Sequence, residues 1–454
     1  MDLVAGVRSG ASSAAALVGH ALDQIDELNP AINAFVAVDS LAARQAAAVI
    51  DAQVAAGEDP GPLAGIPIGV KDLEDAFGFT TTHGSLLHSE DPPSASDSLL
   101  VARLKAAGAV VVGKTNTPEF GHTATTSNRV FGTTANPWDL AHTPGGSSGG
   151  SGAAVASGMV PLATGSDGGG SIRIPAALCG LTALKCQQGR IPYLHDGSTH
   201  AMLLATAGPM ARTAVDTALA IDAVRGPYWG DPFSLPDDDR SWFDMTTSAT
   251  KPNRVVWAPT MGYADVDPGI AQACQTAVDA LADAGTEVVI DDTVFETEPV
   301  GGWGVNWFAY LHALLGKYRG TPNWQKLSPL VQEMVEHGSP IVGDDAVEAL
   351  QRMFARNHDV GSVLERHGAQ LLLSPTIARF PPTLEQIAAD GGPSNWVKMT
   401  FAFNMTRHPA GSVCVGKVDG LPVGLQVVGR HFDEPGVLAA MATIENLVEP
   451  IGRP

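Results

Sequence analysis

Basic residues are scarce in this chain of 454 residues: 27 Lys and Arg stand against 48 Asp and Glu, which gives a formal charge of −21. That charge repels the phosphates of DNA and RNA, so we expect no nucleic-acid partner. Long hydrophobic runs are missing as well, because no apolar stretch approaches the ~20 residues that a membrane span needs. These two absences favour a small-molecule partner and a protein that does not enter a membrane.

Cysteine is also scarce, and the four residues form no CxxC pair and no zinc spacing: Cys179, Cys186, Cys274 and Cys414. Residues 1–10 show no cationic flank followed by an apolar core, so no signal peptide is predicted. No histidine falls in an H-E-x-x-H pattern, which argues against a metallohydrolase. We therefore expect reduced thiols, a cytoplasmic location and no metal site.

Glycine is abundant, with 50 residues, and it is concentrated around serines. Residues 145–150 and 168–171 are two glycine-wrapped serine clusters on either side of the apolar run 153–160. Such runs usually mark backbone that bends sharply or approaches a ligand closely. Upstream, Lys71 ends an apolar, strand-like run. Two serines and a lysine can supply a nucleophile and its base without any histidine.

These segments closely resemble the amidase signature family of serine amidohydrolases. The resemblance extends over essentially the whole chain, through the segments 28–35, 65–72, 113–120, 143–178, 403–409 and 420–426. It implies an amidase that cleaves a carboxylic amide C–N bond through an acyl-enzyme, without a metal or organic cofactor. It leaves the oligomeric state open between a monomer and a homodimer.

The resemblance also implies a role for each catalytic residue. Ser171 is expected to be the nucleophile, Ser147 a proton relay preceded by a cis peptide bond, and Lys71 the base. An unperturbed lysine titrates near ~10.4, so burial beside Ile68 and Val70 has to lower its pKa. Backbone N–H groups of the glycine run are expected to form an oxyanion hole: Gly168, Gly169 and Gly170. Many relatives carry a larger residue at the position of Gly168.

The order of elements predicts an α/β fold with a single large mixed β-sheet, covered on both faces by helices. The family fold has the same architecture. We expect a single amidase domain over residues 1–454. Within it, residues 1–62 form an N-terminal helical wrap and residues 63–225 the signature core with the catalytic residues. Residues 226–454 hold a variable segment, substrate-cleft elements and the C-terminal strands.

Local patterns predict the individual elements. The alternation of a strand at 66–71, a helix at 98–107 and a strand at 109–112 indicates βαβ units. A helix is predicted over 203–223, after the serine clusters. Later in the chain, Asp267 is predicted to cap a helix that runs to about residue 284.

Substrate-binding residues are predicted from the positions at which relatives line their pockets. They are Gly121, His122, Thr123, Ser148, Trp303 and Trp307. Trp303, Trp307, Leu311 and Leu314 recur at helical spacing, which fits either a core stripe or an apolar wall around the substrate. The second interpretation predicts aromatic or hydrophobic amides, and aryl carbamates, as substrates. That preference resembles the aryl acylamidase and urethanase branch of the family.

Other functions fit the sequence less well. Residues 145–149 fit the G-x-S-x-G elbow of α/β hydrolases, but no strand is predicted directly before them. Residues 248–251 fit S-x-x-K, yet they lie in a polar connector. The main alternative is the glutaminase component of a tRNA-dependent amidotransferase, which belongs to the same family and needs partner proteins. A catalytically dead binding protein disagrees with the intact set of Lys71, Ser147 and Ser171.

Overall fold

The computed structural model describes residues 2–193, 200–390 and 396–454. Its strands, in chain order, are β1 Phe35–Val38, β2 Pro67–Lys71, β3 Val110–Thr115, β4 Ser127–Asn128, β5 Gly132–Thr133, β6 Leu162–Asp167, β7 Ala183–Lys185, β8 Thr206–Met210, β9 Arg254–Trp257, β10 Glu287–Ile290, β11 Leu371–Pro375, β12 Ala410–Val418 and β13 Leu421–Gly429.

The α-helices are α1 Asp2–Arg8, α2 Ala14–Ile32, α3 Ser40–Ala55, α4 Leu99–Ala106, α5 Gly149–Ala156, α6 Arg173–Cys179, α7 His200–Leu203, α8 Ala214–Val224, α9 Trp242–Thr247, α10 Pro268–Asp283, α11 Val300–Leu315, α12 Pro329–Gly338, α13 Gly343–Arg366, α14 Leu384–Asp390, α15 Ala402–Met405 and α16 Glu434–Leu447. None of the described helices is long and apolar enough to cross a lipid bilayer.

Two mixed sheets make up the centre of the fold. One has the strand order β1-β3-β2-β6-β8 and the other β10-β9-β11-β13-β12-β7. The edge regions of β8 and β7 meet at a bridge in which the Thr182 N–H donates to the Ala211 carbonyl at 3.3 Å. The two sheets therefore continue into one mixed surface of eleven strands. This confirms the α/β fold with a mixed sheet flanked by helices.

The largest hydrophobic core runs from Val4 near the N-terminus to Ile444 in α16. Helix starts follow the capping residues that the sequence supplies. The Ser13 hydroxyl accepts from the Ala16 N–H at the start of α2, and Asp267 caps α10 just before Pro268. The starts of these two helices thus agree with the local sequence signals.

The predicted helix over 203–223 is wrong in its first half. Residues of β8 form a fully buried strand antiparallel to β6, and only α8 is helical. Gly208 and Pro209 explain the difference. Glycine is a poor helix former, and proline inside a helix removes a backbone hydrogen bond.

Strand direction places the candidate site. β2 runs parallel to both β3 and β6, so the carboxyl ends of all three lie at the same edge of the sheet. Lys71 ends β2 and Asp167 ends β6. Loops that contain the two serine clusters converge on this edge.

Candidate active site

Lys71 lies at the end of β2 with its ammonium group inside a ring of hydroxyls. Nζ is 2.7 Å from Ser147 Oγ, 2.9 Å from Ser148 Oγ and 2.9 Å from Ser166 Oγ. The backbone N–H of Lys71 donates to Thr164 Oγ1 at 2.9 Å, which fixes the strand beside β6. The whole residue is buried. The lysine is thus held rigidly against the first serine cluster.

Burial lowers the pKa of Lys71 to about 7, although the charges of Glu74 and Asp167 act in the opposite direction. A charged amine loses hydration when it is buried, and this favours the neutral form. Asp72, the next residue, forms a buried ion pair with Lys114 at 3.2 Å. With its pKa lowered to about 7, Lys71 is neutral in a substantial fraction of molecules at neutral pH, and the neutral amine is able to accept a proton.

Ser147 connects the lysine to the open part of the site. The peptide bond between Gly146 and Ser147 is cis, as the family resemblance implied. Ser147 borders the cavity that also contains Ser171. Gly121 lies against it, and a Cβ added at Gly121 would come within 3.2 Å of Ser147 Oγ. The absence of a side chain at position 121 therefore leaves room beside the serine.

Ser171 ends a glycine turn that is stabilised by a buried ion pair. Asp167 pairs with Arg173 through two contacts of 3.0 Å, and both side chains are fully buried. Burial alone would raise the pKa of Asp167, but the charge and hydrogen bonds of Arg173, together with Lys185 and Asn404, hold that pKa well below its usual range. Arg173 also donates to Asn404 Oδ1 at 2.7 Å and to the Thr400 carbonyl at 2.8 Å. Asp167 and Arg173 thus hold the glycine turn in place from inside the protein.

Gly170 does not fit the predicted oxyanion hole. Its N–H donates to Asp167 Oδ1 at 2.7 Å, so this donor is already engaged inside the loop. In the part of the chain that the structure describes, no acceptor is found for the N–H groups of Gly168, Gly169 and Ser171. These three amides remain the candidates for binding a negative oxygen.

Two stacked tryptophans of α11 explain why the turn contains glycines. The rings of Trp303 and Trp307 lie 5.2 Å apart, and Trp303 Nε1–H donates to the Gly168 carbonyl at 2.7 Å. A Cβ at Gly168 would lie 3.0 Å from the Trp307 ring, and one at Gly169 would lie 3.0 Å from the Trp303 ring. Trp307 therefore fills the space that a larger residue at position 168 would need.

Two cavities meet at Ser171. The first, here the tyrosine-lined cavity, has a volume of about 270 Å³ and is bordered by Leu73, His83, His88, Phe120, Gly121, Ser147, Ser166, Gly168, Ser171, Tyr193, Ala201, Ala205, Trp307, Tyr310, Leu314, Leu315, Lys317 and Tyr318. The second, here the apolar cavity, has a volume of about 370 Å³. It is bordered by Gly121, His122, Thr123, Ala124, Thr125, Gly169, Ser171, Ile174, Val300, Trp303, Trp307, Phe308, Leu330, Met334, Trp396, Val397 and Phe401.

Most of the predicted substrate-binding residues lie in these walls. Gly121 and Trp307 border both cavities, whereas His122, Thr123 and Trp303 border only the apolar one. Nδ1 of His122 contacts the Glu119 carbonyl. The pKa of this histidine is lowered by burial, so the ring is neutral and Nε2 is left as a buried acceptor without a partner among the described residues.

Ser148, which was predicted to bind substrate, does not border either cavity. It is fully buried and accepts from Lys71 and from the Ser166 N–H. The leucines at helical spacing on α11 lie in two different environments. Leu311 belongs to the core, whereas Leu314 is 37% exposed and borders the tyrosine-lined cavity. Among the described residues, no group of three or more His, Cys, Asp or Glu is placed to hold a metal.

Sequence reasoning missed Ser166. Its hydroxyl lies 2.9 Å from Lys71 Nζ and it borders the tyrosine-lined cavity. A signal was available, because β2 and β6 are predictable neighbours and Ser166 stands one residue before the end of β6. Thr400 and Asn404 were missed as well, and they come from a segment more than 200 residues away in sequence.

Comparison with known proteins identifies the family. The sequence profile of the Amidase family matches residues 16–438. An acylamidase of Rhodococcus erythropolis is 34% identical over 98% of this chain and 94% of its own length. One component of the glutamyl-tRNA(Gln) amidotransferase of Roseiflexus castenholzii is 34% identical over 94% of this chain and 91% of its own length. The crystal structure of a bacterial aryl acylamidase of the amidase signature enzymes superimposes with a TM-score of 0.91 at 27% identity, covering 99% of this chain and 98% of that one.

The chain therefore belongs to the amidase signature family. Its membership makes it a hydrolase that acts on amide C–N bonds.

Proposed function

We propose that the protein hydrolyses aryl and hydrophobic amides with Ser171 as nucleophile, Ser147 as proton relay and Lys71 as base. The observation that carries this proposal is the 2.7 Å contact between Lys71 Nζ and Ser147 Oγ in a fully buried setting. A neutral lysine in that position accepts a proton from Ser147, which in turn accepts one from Ser171.

The reaction then proceeds in two halves. Ser171 Oγ attacks the amide carbon, and the negative oxygen is held by N–H groups of the glycine turn. The three without an acceptor in the described structure are those of Gly168, Gly169 and Ser171. One such donor typically contributes about 3 kcal/mol of transition-state stabilisation. Ser147 returns its proton to the leaving nitrogen, and water hydrolyses the acyl-enzyme by the same route.

The walls of the site support apolar substrates. No Asp, Glu, Lys or Arg is present among the described residues that border the apolar cavity. Three tryptophans and two phenylalanines border it, and such surfaces favour burial of apolar groups. The relatives named acylamidase and aryl acylamidase support the same substrate class. Aryl carbamates are included because they also contain a carbonyl carbon bonded to nitrogen, together with an aryl group.

A glutaminase component of an amidotransferase is the second candidate, since one such relative is also 34% identical. Glutamine carries an ammonium and a carboxylate, and burying either without a partner is costly. Among the described residues that border the two cavities, Lys317 is the one charged side chain, and it is exposed. The site is thus poorly suited to hold glutamine by itself.

Steady-state kinetics on three substrates test the proposal. We expect kcat/KM to be highest for a hydrophobic acyl 4-nitroanilide, measurable for a phenyl carbamate and lowest for glutamine. The isolated chain should be active without partner proteins. If glutamine had the highest kcat/KM, and only in the presence of partner proteins, the glutaminase function would replace ours.

A further inference from the structure

Ser171 stands where the two cavities join, but the proton relay borders only one of them. Ser147 and Ser166 border the tyrosine-lined cavity, and neither borders the apolar cavity. Ser171, Gly121 and Trp307 border both. A substrate whose carbonyl carbon lies at Ser171 therefore has one end on the side of Ser147 and the other end away from it.

We infer that the amine part of the substrate occupies the tyrosine-lined cavity and the acyl part occupies the apolar cavity. This assignment rests on the proposed function, in which Ser147 protonates the leaving nitrogen. A proton donor has to lie within hydrogen-bond reach of the atom that it protonates. The nitrogen must then face Ser147, and everything attached to that nitrogen extends into the same cavity.

The two halves of the reaction determine which product each cavity holds. In the first half, the Ser171 Oγ–carbon bond forms and the C–N bond breaks. The proton that leaves Ser171 passes to Lys71 through Ser147, and a proton from Ser147 completes the neutral amine. The amine departs through the tyrosine-lined cavity while the acyl group stays in the apolar cavity. Lys71 then returns its proton to Ser147. In the second half, the water oxygen bonds to the acyl carbon and the Ser171 Oγ–carbon bond breaks. One proton of the water returns to Ser171 through Ser147, and the carboxylic acid leaves.

The tyrosine-lined cavity is suited to a flat amine with polar substituents. Its wall contains a stacked pair, His83 and Phe120, with ring centroids 5.9 Å apart, and Tyr310 next to Trp307 at 6.0 Å. Aromatic rings in such walls favour offset or edge contacts with an aryl ligand. Lys317 is exposed at this cavity, and no Asp or Glu is present among the described residues that border it. An arylamine that carries a carboxylate or another acceptor is therefore compatible with this side.

The apolar cavity is suited to an acyl group without charge. Among its described lining residues, Trp303, Phe308, Trp396 and Phe401 supply rings and Met334 supplies a flexible side chain. A charged acyl group would lose its hydration there without gaining a partner. The preferred substrate is thus an apolar acyl group joined to a more polar arylamine.

Two leucines form a matched pair for testing the assignment. Leu314 borders only the tyrosine-lined cavity and is 37% exposed, whereas Leu330 borders only the apolar cavity and is 42% exposed. The variants Leu314→Trp and Leu330→Trp each narrow one cavity from its rim. Because both side chains are partly exposed, we expect both variants to fold, which circular dichroism and thermal melts can verify.

Each variant is assayed on two series of amides. One series keeps the phenylacetyl group and changes the amine among ammonia, methylamine, aniline and 4-aminobenzoate. The other keeps 4-nitroaniline and changes the acyl group among acetyl, butyryl and phenylacetyl. We expect Leu314→Trp to lower kcat/KM about tenfold for the bulky amines relative to ammonia, with the acyl preference unchanged. Leu330→Trp should lower kcat/KM about tenfold for phenylacetyl relative to acetyl, with the amine preference unchanged.

The assignment would be overturned if Leu314→Trp changed the acyl preference and Leu330→Trp changed the amine preference. It would also be overturned if neither variant affected either series. A wild-type enzyme that turned over neither series would instead contradict the proposed function, so the two failures are distinguishable. If a tryptophan variant did not fold, Leu314→Ala and Leu330→Ala would replace the pair. Each should then widen the tolerance of its own series, and widening of the opposite series would refute the assignment.

Discussion

Lys71 should determine the pH dependence of the enzyme. Burial lowers its pKa from 10.5 to about 7, and a base acts only in its neutral form. The sign follows directly: protonation below this pKa inactivates the base, and deprotonation above it activates the base. We therefore expect kcat/KM to rise with pH, to reach half of its maximum near pH 7, and to level off about two units higher.

The size of the effect follows from the burial. A fall of the pKa from 10.5 to about 7 corresponds to a cost of about 5 kcal/mol for the charged amine, at about 1.36 kcal/mol for each pKa unit. A lysine that kept its ordinary pKa would be neutral in only roughly one molecule in three thousand at pH 7. Burial of Lys71 thus increases the active fraction by about three orders of magnitude at neutral pH.

Hydrolysis of a 4-nitroanilide, followed from pH 5.5 to 9.5, measures this profile. Lys71→Arg should be nearly inactive over the whole range, because guanidinium does not lose its proton there. Lys185 offers a control: burial also lowers its pKa to about 7, but its Nζ donates to the carbonyls of Cys186 and His408. Lys185→Met should keep the midpoint near pH 7 in whatever activity remains. A flat profile, or a fully active Lys71→Arg enzyme, would refute the role of Lys71 as base.

Two further substitutions test the geometry around the serines. Gly121→Ala should lower kcat/KM about ten- to a hundredfold, because the added methyl group would press on Ser147. Gly320→Ala is the control and should leave kcat/KM unchanged. Both glycines have a similar left-handed backbone (φ 69° and 72°), but a Cβ at Gly320 meets nothing within 4 Å. Arg173→Gln should lower the free energy of unfolding by about 3–5 kcal/mol, because it leaves a buried carboxylate unpaired. Arg352→Gln, which breaks an ion pair whose side chains are both 62% exposed, should cost only about 0.3–0.5 kcal/mol.

Steady-state kinetics and urea denaturation distinguish the outcomes. Equal loss of activity in the two glycine variants would show that backbone strain, and not contact with the serine, matters at position 121. A loss of stability in Arg173→Gln as small as that in Arg352→Gln would contradict the structural role of the buried ion pair beneath the turn.

The segments that hold the proposed catalytic residues could be recognised because each of them is local in sequence. Lys71 ends an apolar strand, Ser147 lies in a glycine cluster just before α5, and Ser171 lies in the glycine turn between β6 and α6. The engagement of the Gly170 N–H could not be predicted in this way. It depends on Asp167, whose orientation is fixed by Arg173 and so by contacts to Asn404 in a remote segment.

The strand β8 shows the same limit in the fold. Its residues lie inside an Ala- and Leu-rich stretch that is typical of a helix, but Gly208 and Pro209 interrupt that pattern, and all five residues are buried beside β6. Pairing with an available strand edge decided their conformation, and that edge is visible only in three dimensions. By contrast, α10 begins directly after Asp267, as predicted, because a helix cap is a local signal.

The central claim is that Ser171 forms the covalent bond to the substrate. Treatment with a serine-directed fluorophosphonate, followed by proteolysis and mass spectrometry, locates that bond directly. We predict a single adduct on the peptide that contains Ser171, no adduct in Ser171→Ala, and slow labelling of Ser171 in Ser147→Ala. An adduct that persisted in Ser171→Ala and disappeared in Ser147→Ala would contradict the claim and exchange the roles of the two serines.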